Sequence, residues 1–113
     1  MAYSKYKNVK TLINGQEFGS KAEAKRYVEL HVLSNAGVIS QLKLQAKYKL
    51  IAKQRRSDGT MERACHYLAD FEYIENGNLI VEDVKGGKST PEFIIKRKLM
   101  LEKHGISIRE IRK

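Results

Sequence analysis

Residues 65–90 read CHYLADFEYI, then ENGN, then LIVEDVKGGKST, and this stretch decides the fold. Both flanking runs are rich in β-branched and aromatic residues, and Asn76-Gly77 between them is the strongest short-range hairpin signal. A type I′ turn there pairs Glu75 with Asn78. Counting outward along both strands sets Asp70 opposite Asp83, where Cβ atoms stand roughly 4.5–5.5 Å apart and like charges repel. Lys85, two residues past Asp83, projects from the same face as both carboxylates. Two carboxylates and an amine on one patch of sheet cost stability. They suit a divalent metal site.

Alternation supports that reading. Tyr67, Ala69, Phe71 and Tyr73 make one apolar face of the first strand, and His66, Leu68, Asp70, Glu72 and Ile74 make a mixed one. The second strand sets Leu79, Val81, Asp83 and Lys85 against Ile80, Glu82 and Val84. Acids on strands ordinarily point to solvent, and a strand-end lysine ordinarily protects an edge. Asp83 instead ends a mostly apolar face, which a merely solvated charge has little reason to do.

Upstream, residues 38–52 alternate with period two. Leu42, Leu44, Ala46, Tyr48 and Leu50 oppose Lys43, Gln45, Lys47 and Lys49, which predicts a half-buried strand with a basic outer face. Residues 53–62 read as a loop whose Lys53, Arg55 and Arg56 suit a backbone phosphate. Ser20-Lys21-Ala22-Glu23 is a capping box opening a helix to Asn35, with Gly37 just past its end. Tyr27, Val28 and Leu30 line its apolar side. Glu23, one turn before Tyr27, has two open roles: reciprocal cap of the Ser20 backbone N–H, or third carboxylate at the metal patch. Residues 9–18 predict a small hairpin around Asn14-Gly15, and residues 1–8 a basic N-terminal arm.

Downstream, Gly86-Gly87-Lys88 makes a flexible basic turn. Ser89 or Thr90 caps a helix that has Pro91 at its first position and ends at Gly105. Lys88, Ser89, Thr90 and the helix N–H groups suit a phosphate, with Lys96 further along the same helix, although ordinary capping accounts for the hydroxyls too. A last strand is expected at residues 106–111. The order is hairpin, helix, three strands, helix, strand: an α/β chain, with residues 9–113 as one domain.

Composition narrows the partners. At 113 residues, 42% hydrophobic and 31% charged, the chain is long enough for one real core. The single cysteine, Cys65, excludes an internal disulfide, offers no thiolate cluster for zinc, and points to a reducing cytoplasm. No apolar run is long enough to span a membrane, and the first residues lack the apolar core of a signal peptide. A net charge of +9 argues for a polyanionic partner, nucleic acid first, against mere solubilisation.

At Asp70, Asp83 and Lys85 the chain resembles the PD-(D/E)XK nuclease superfamily, with Asp70 at its first acidic position and Asp83-Val84-Lys85 as its D/E-x-K element. Glu23 matches the acidic residue that many members carry on the first helix. The wording is closer still to small phage relatives of RecU-type Holliday junction resolvases: Gly15-x-x-Phe18-x-Ser20-Lys21-x-Glu23-Ala24-x-Arg26-Tyr27-x-Glu29-Leu30, then Tyr67-x-Ala69-Asp70-Phe71-x-Tyr73, then Val81-Glu82-Asp83-Val84-Lys85-Gly86. Ala69 stands where the superfamily's name has proline, and Asp83 where glutamate is more usual. Those resolvases also carry a projecting stalk, for which residues 53–62 are the only counterpart.

The resemblance implies a restriction-endonuclease-like α-β-β-β-α-β core, a mixed sheet flanked by helices, and Mg²⁺-dependent hydrolysis of DNA phosphodiesters. Hard oxygen ligands select Mg²⁺, with Mn²⁺ able to substitute. Asp70, Asp83, the Val84 carbonyl and Glu23, directly or through water, are the implied ligands, and Lys85 the group that faces the phosphate. A homodimer acting on four-way junctions, in the cytoplasm of a bacterial host if phage-encoded, is the expected setting. A general, nicking or restriction-like endonuclease, a non-catalytic basic DNA-binding module and a protein that docks on a host factor are the alternatives.

Overall fold

The Asn76-Gly77 turn forms as the sequence predicts. Its two residues take φ of 52° and 76°, the left-handed pair that a type I′ turn needs, and Glu75 pairs with Asn78. The turn joins β6 (Cys65–Glu75) to β7 (Asn78–Lys85). The computed structural model describes residues 11–13 and 16–112, so the expected arm at 1–8 and the Asn14-Gly15 turn lie outside the described residues. The strands flanking that turn, β1 (Thr11–Ile13) and β2 (Gln16–Phe18), do pair antiparallel.

From Lys21 onward the elements are α1 (Lys21–Asn35), β3 (Ile39–Ile51), a small pair β4 (Gln54–Arg55) and β5 (Met61–Glu62), then β6, β7, α2 (Pro91–His104) and β8 (Arg109–Arg112). The main sheet runs β3-β6-β7-β8, with β3-β6 and β6-β7 antiparallel and β7-β8 parallel through the α2 crossover. The chain is an α/β protein, its described residues forming a mixed four-stranded sheet and two helices. Among the described residues no helix is long and apolar enough to cross a membrane.

Both helices begin and end as their sequences direct. Ser20 Oγ accepts the Glu23 N–H at 3.1 Å, and Thr90 Oγ1 accepts the Phe93 N–H at 3.1 Å with Pro91 behind it. Gly105 closes α2 at φ 67°. Ala24, Tyr27 and Leu30 are the buried side of α1, whereas Val28, expected there, is 44% exposed. Residue 28 lies about 100° round the helix from residue 27, beyond the stripe that 24, 27 and 30 define.

Each helix covers a different face of the sheet. Along β7, Val81 packs with Phe93 and Met100 of α2, while Ile80 and Val84 pack in the cluster of Ala24, Tyr27 and Leu30 of α1. Fully buried Leu30 and Met100 contribute roughly 1.5–3 kcal/mol each. In β6 the expected single apolar face is split: Tyr67 and Ala69 join the α2 cluster, and Phe71 and Tyr73 the α1 cluster. Strand β3 divides in the same way, Leu42 and Leu44 toward α1, Ala46 and Leu50 toward α2. The change falls at Gln45, left-handed at φ 53° between the pairs Leu44↔Phe71 and Ala46↔Ala69, and so level with Asp70. A non-glycine residue there interrupts simple alternation.

Two boundaries also move. The loop expected at 53–62 is a hairpin, held by the pairs Gln54↔Glu62 and Arg55↔Met61 and by the Arg56 N–H on the Thr60 carbonyl at 2.7 Å. The last strand starts at Arg109 rather than residue 106, because Ile106 and Ile108 pack into the α2 cluster first.

Candidate active site

The β6-β7 pairing runs from the turn to Phe71↔Glu82 and ends there. One step on, Asp70 meets Asp83 without a backbone pair. Asp70 Oδ2 instead accepts the Val84 N–H at 2.8 Å, so a carboxylate takes the donor that a neighbouring strand would have used. Glu23 reaches the same place from α1. Its carboxylate interacts with Asp70, with Asp83 and with the Gly19 backbone N–H, which is one residue before the cap expected at Ser20. The helix acid therefore turns toward the other two carboxylates.

Burial and crowding alter their acidity. Asp70 is pushed up to about 7, by burial first, then by the charges of Asp83 and Glu23, against the lowering effect of the Val84 N–H. Glu23 is also raised, by burial first and by Asp83 as well. Because the folded Asp70 binds its proton more tightly than the unfolded one, its stabilising effect is present at acid pH and lost as pH rises through about 7. In EDTA, resistance to urea should fall between pH 5 and pH 8, and a divalent cation should restore it at pH 8. A flat profile in EDTA would show that the carboxylates do not crowd one another.

Lys85 completes the group. Its Nζ lies 2.5 Å from Asp83 Oδ2, with Asp83 only 7% exposed. Tyr67 adds a residue that sequence reasoning missed. Its hydroxyl is buried without a hydrogen-bond partner, and burial followed by the Asp83 charge raises its pKa. An orphaned buried hydroxyl beside carboxylates calls for a water or another polar guest. A cleft of about 230 Å³ opens here, lined by Tyr67, Asp83, Lys85, Thr90, Phe93 and Lys96 among others.

Of the phosphate candidates, Thr90 and Lys96 line this cleft, while Lys88 is exposed on the turn above and the Ser89 hydroxyl is 3.4 Å from Glu110. Lys53, Arg55 and Arg56 stand exposed on the β4-β5 side. The base of that arm borders the site region: Ile51 and Ala64 share a second cavity of about 440 Å³ with Glu92 and Lys96.

The other face of β7 holds a second group that sequence reasoning passed over. Glu82 was expected opposite Asp83 and is, yet it is fully buried. Arg26 grips it with two bonds, Nε at 2.9 Å and Nη2 at 2.6 Å, and the Tyr73 hydroxyl donates to it as well. Arg26 lies one turn after Glu23, so this clamp fixes α1 against β7 beside the acids. The available signal was Glu23 and Arg26 at helical spacing facing the adjacent pair Glu82 and Asp83.

Among the described residues, no three His, Cys, Asp or Glu side chains form a ready cation cage. The Lys85 ammonium holds Asp83, and the Val84 N–H holds Asp70. A family model described as a protein of unknown function, DUF1064, matches residues 3–112. The chain belongs to the DUF1064 family. No curated protein matches it, and no solved structure does.

Proposed function

We propose that this protein is a metal-dependent DNA endonuclease of the PD-(D/E)XK kind, acting on branched DNA as a Holliday junction resolvase. One observation carries the reading: Glu23, Asp70 and Asp83 meet beside Lys85 where the β6-β7 ladder opens, and burial, with the neighbouring charges added, pushes Asp70 up to about 7. Evolution has little structural reason to gather three acids there, since each costs the others stability. The donor set, three carboxylates and a backbone carbonyl, is all oxygen and suits a hard divalent cation rather than zinc.

Asp70, Asp83, the Val84 carbonyl and Glu23 would hold Mg²⁺ or Mn²⁺, which supplies Lewis acidity toward a phosphate and a more acidic water. The chain's own residues do the rest. Lys85 turns from Asp83 to the phosphate oxygens and counters the charge that grows on them. Lys96 and Thr90 receive a backbone phosphate in the cleft, and the arm with Lys53, Arg55 and Arg56 extends the basic surface. Two equivalent cuts across a junction need two such sites, hence a homodimer.

The test compares a synthetic four-way junction with linear duplex and single strands, each with Mg²⁺ or EDTA. Cleavage that requires Mg²⁺ and favours the junction, by a protein that is dimeric on DNA in light scattering, is the expected result. Equal cutting of junction and duplex leaves a general endonuclease. Binding without cleavage in any metal leaves a basic DNA-binding module, for which the closed Lys85-Asp83 pair would be purely structural.

A further inference from the structure

The Lys85 ammonium has a second fixed neighbour besides Asp83. Its Nζ lies 3.3 Å from the centroid of the Phe93 ring, well within the roughly 6 Å over which an aromatic face attracts a cation. The lysine side chain is 18% exposed, so both contacts operate with much of the surrounding water removed. The ring is itself immobilised. Phe93 is 7% exposed, its N–H is tied to Thr90 Oγ1 at 3.1 Å, and it packs on Tyr67 at 6.3 Å between centroids. Arg97 also stands over the ring, at 5.9 Å, but Glu110 holds its guanidinium at 3.0 Å.

We infer that Phe93 is a positioning residue for Lys85: its ring is the seat that keeps the ammonium at the cleft when Asp83 gives its charge to another cation. The inference rests on the nuclease reading for its consequence but not for its geometry. With Asp83 as its sole partner, the lysine would lose its anchor as soon as a divalent ion engaged that carboxylate, and its flexible stem would swing to solvent. An aliphatic wall of the same volume would offer no compensation for the water the ammonium has lost. An aromatic face does, because its quadrupole is negative where the cation sits. Thr90 and Lys96, one turn before and one turn after Phe93 along α2, line the same cleft.

Two measurements test this. In protein labelled at the lysine ε-carbons and kept in EDTA, the Lys85 ε-protons should be shifted upfield by the ring current, with the signal assigned by its loss in Lys85→Arg. Phe93→Leu should return that signal to the ordinary lysine position. In the Mg²⁺ reaction, Phe93→Leu should lower kcat about tenfold, the scale of a desolvated cation–π contact, with KM for DNA nearly unchanged. Progressive ring fluorination of residue 93 preserves shape and weakens the quadrupole, so kcat should fall stepwise even if the leucine variant folds poorly. An unshifted Lys85 signal, or kcat indifferent to fluorination, would overturn the seat. A shifted signal in a protein that cuts no DNA would uphold the seat and remove the nuclease reading instead.

Discussion

Asp70→Asn and Asp83→Asn should each lower Mg²⁺-dependent cleavage by about a thousandfold, equivalent to about 4 kcal/mol of barrier, while the protein stays folded. Both acids belong to the crowded cluster, and an amide is a poor ligand for a hard cation. Stability should move the other way for residue 70. An asparagine side chain there would still accept the Val84 N–H through its carbonyl oxygen, yet it removes one of three mutually repelling charges. At pH 8 in EDTA, Asp70→Asn should therefore melt at or above the parent temperature. Asp70→Ala is a different experiment, because it leaves the Val84 N–H without its partner at a cost of roughly 1–3 kcal/mol. Cleavage within tenfold of the parent by either asparagine variant would remove these residues from the chemistry.

The largest effect on stability belongs to the neighbouring face. Glu82→Ala should destabilise the fold by roughly 3 kcal/mol, the low end for a broken buried pair, since it takes the fully buried carboxylate from the Arg26 guanidinium, 17% exposed, and leaves it only Glu29 at 3.0 Å, on the outer side of α1. Breaking the pair is the costly step. Replacing both partners together, Arg26→Met with Glu82→Leu, should recover much of the loss, because no buried charge is then left alone. Urea denaturation of Arg26→Met, Glu82→Leu and the double variant closes the cycle. If Glu82→Ala unfolds at nearly the parent urea concentration, the clamp is not what fixes α1 on β7. Since Glu23 lies one turn before Arg26, the double variant should also cleave poorly even where its stability returns, its helix acid being less firmly placed.

Much of this protein was legible in its residues because the deciding interactions are local. The Asn76-Gly77 turn needs two left-handed residues and has them, and from it the counting that brings Asp70 to Asp83 follows. Ser20, Thr90, Pro91 and Gly105 mark helix ends through bonds within a few residues. Other features depend on groups far apart in the chain, and only the tertiary structure decided them. Alternation alone gives β6 one apolar face, but left-handed Gln45 on β3 and the opened ladder at Asp70 divide it between two helices. A glutamate on a strand reads as solvated until Arg26, 56 positions away, is seen to meet it. Capping and metal ligation were equal readings of Glu23 because both use the same side chain, and its direction depends on where α1 docks. Tyr67 and Phe93 carry ordinary core signatures. Only packing shows the first with an unpartnered hydroxyl beside Asp83 and the second beneath the Lys85 ammonium.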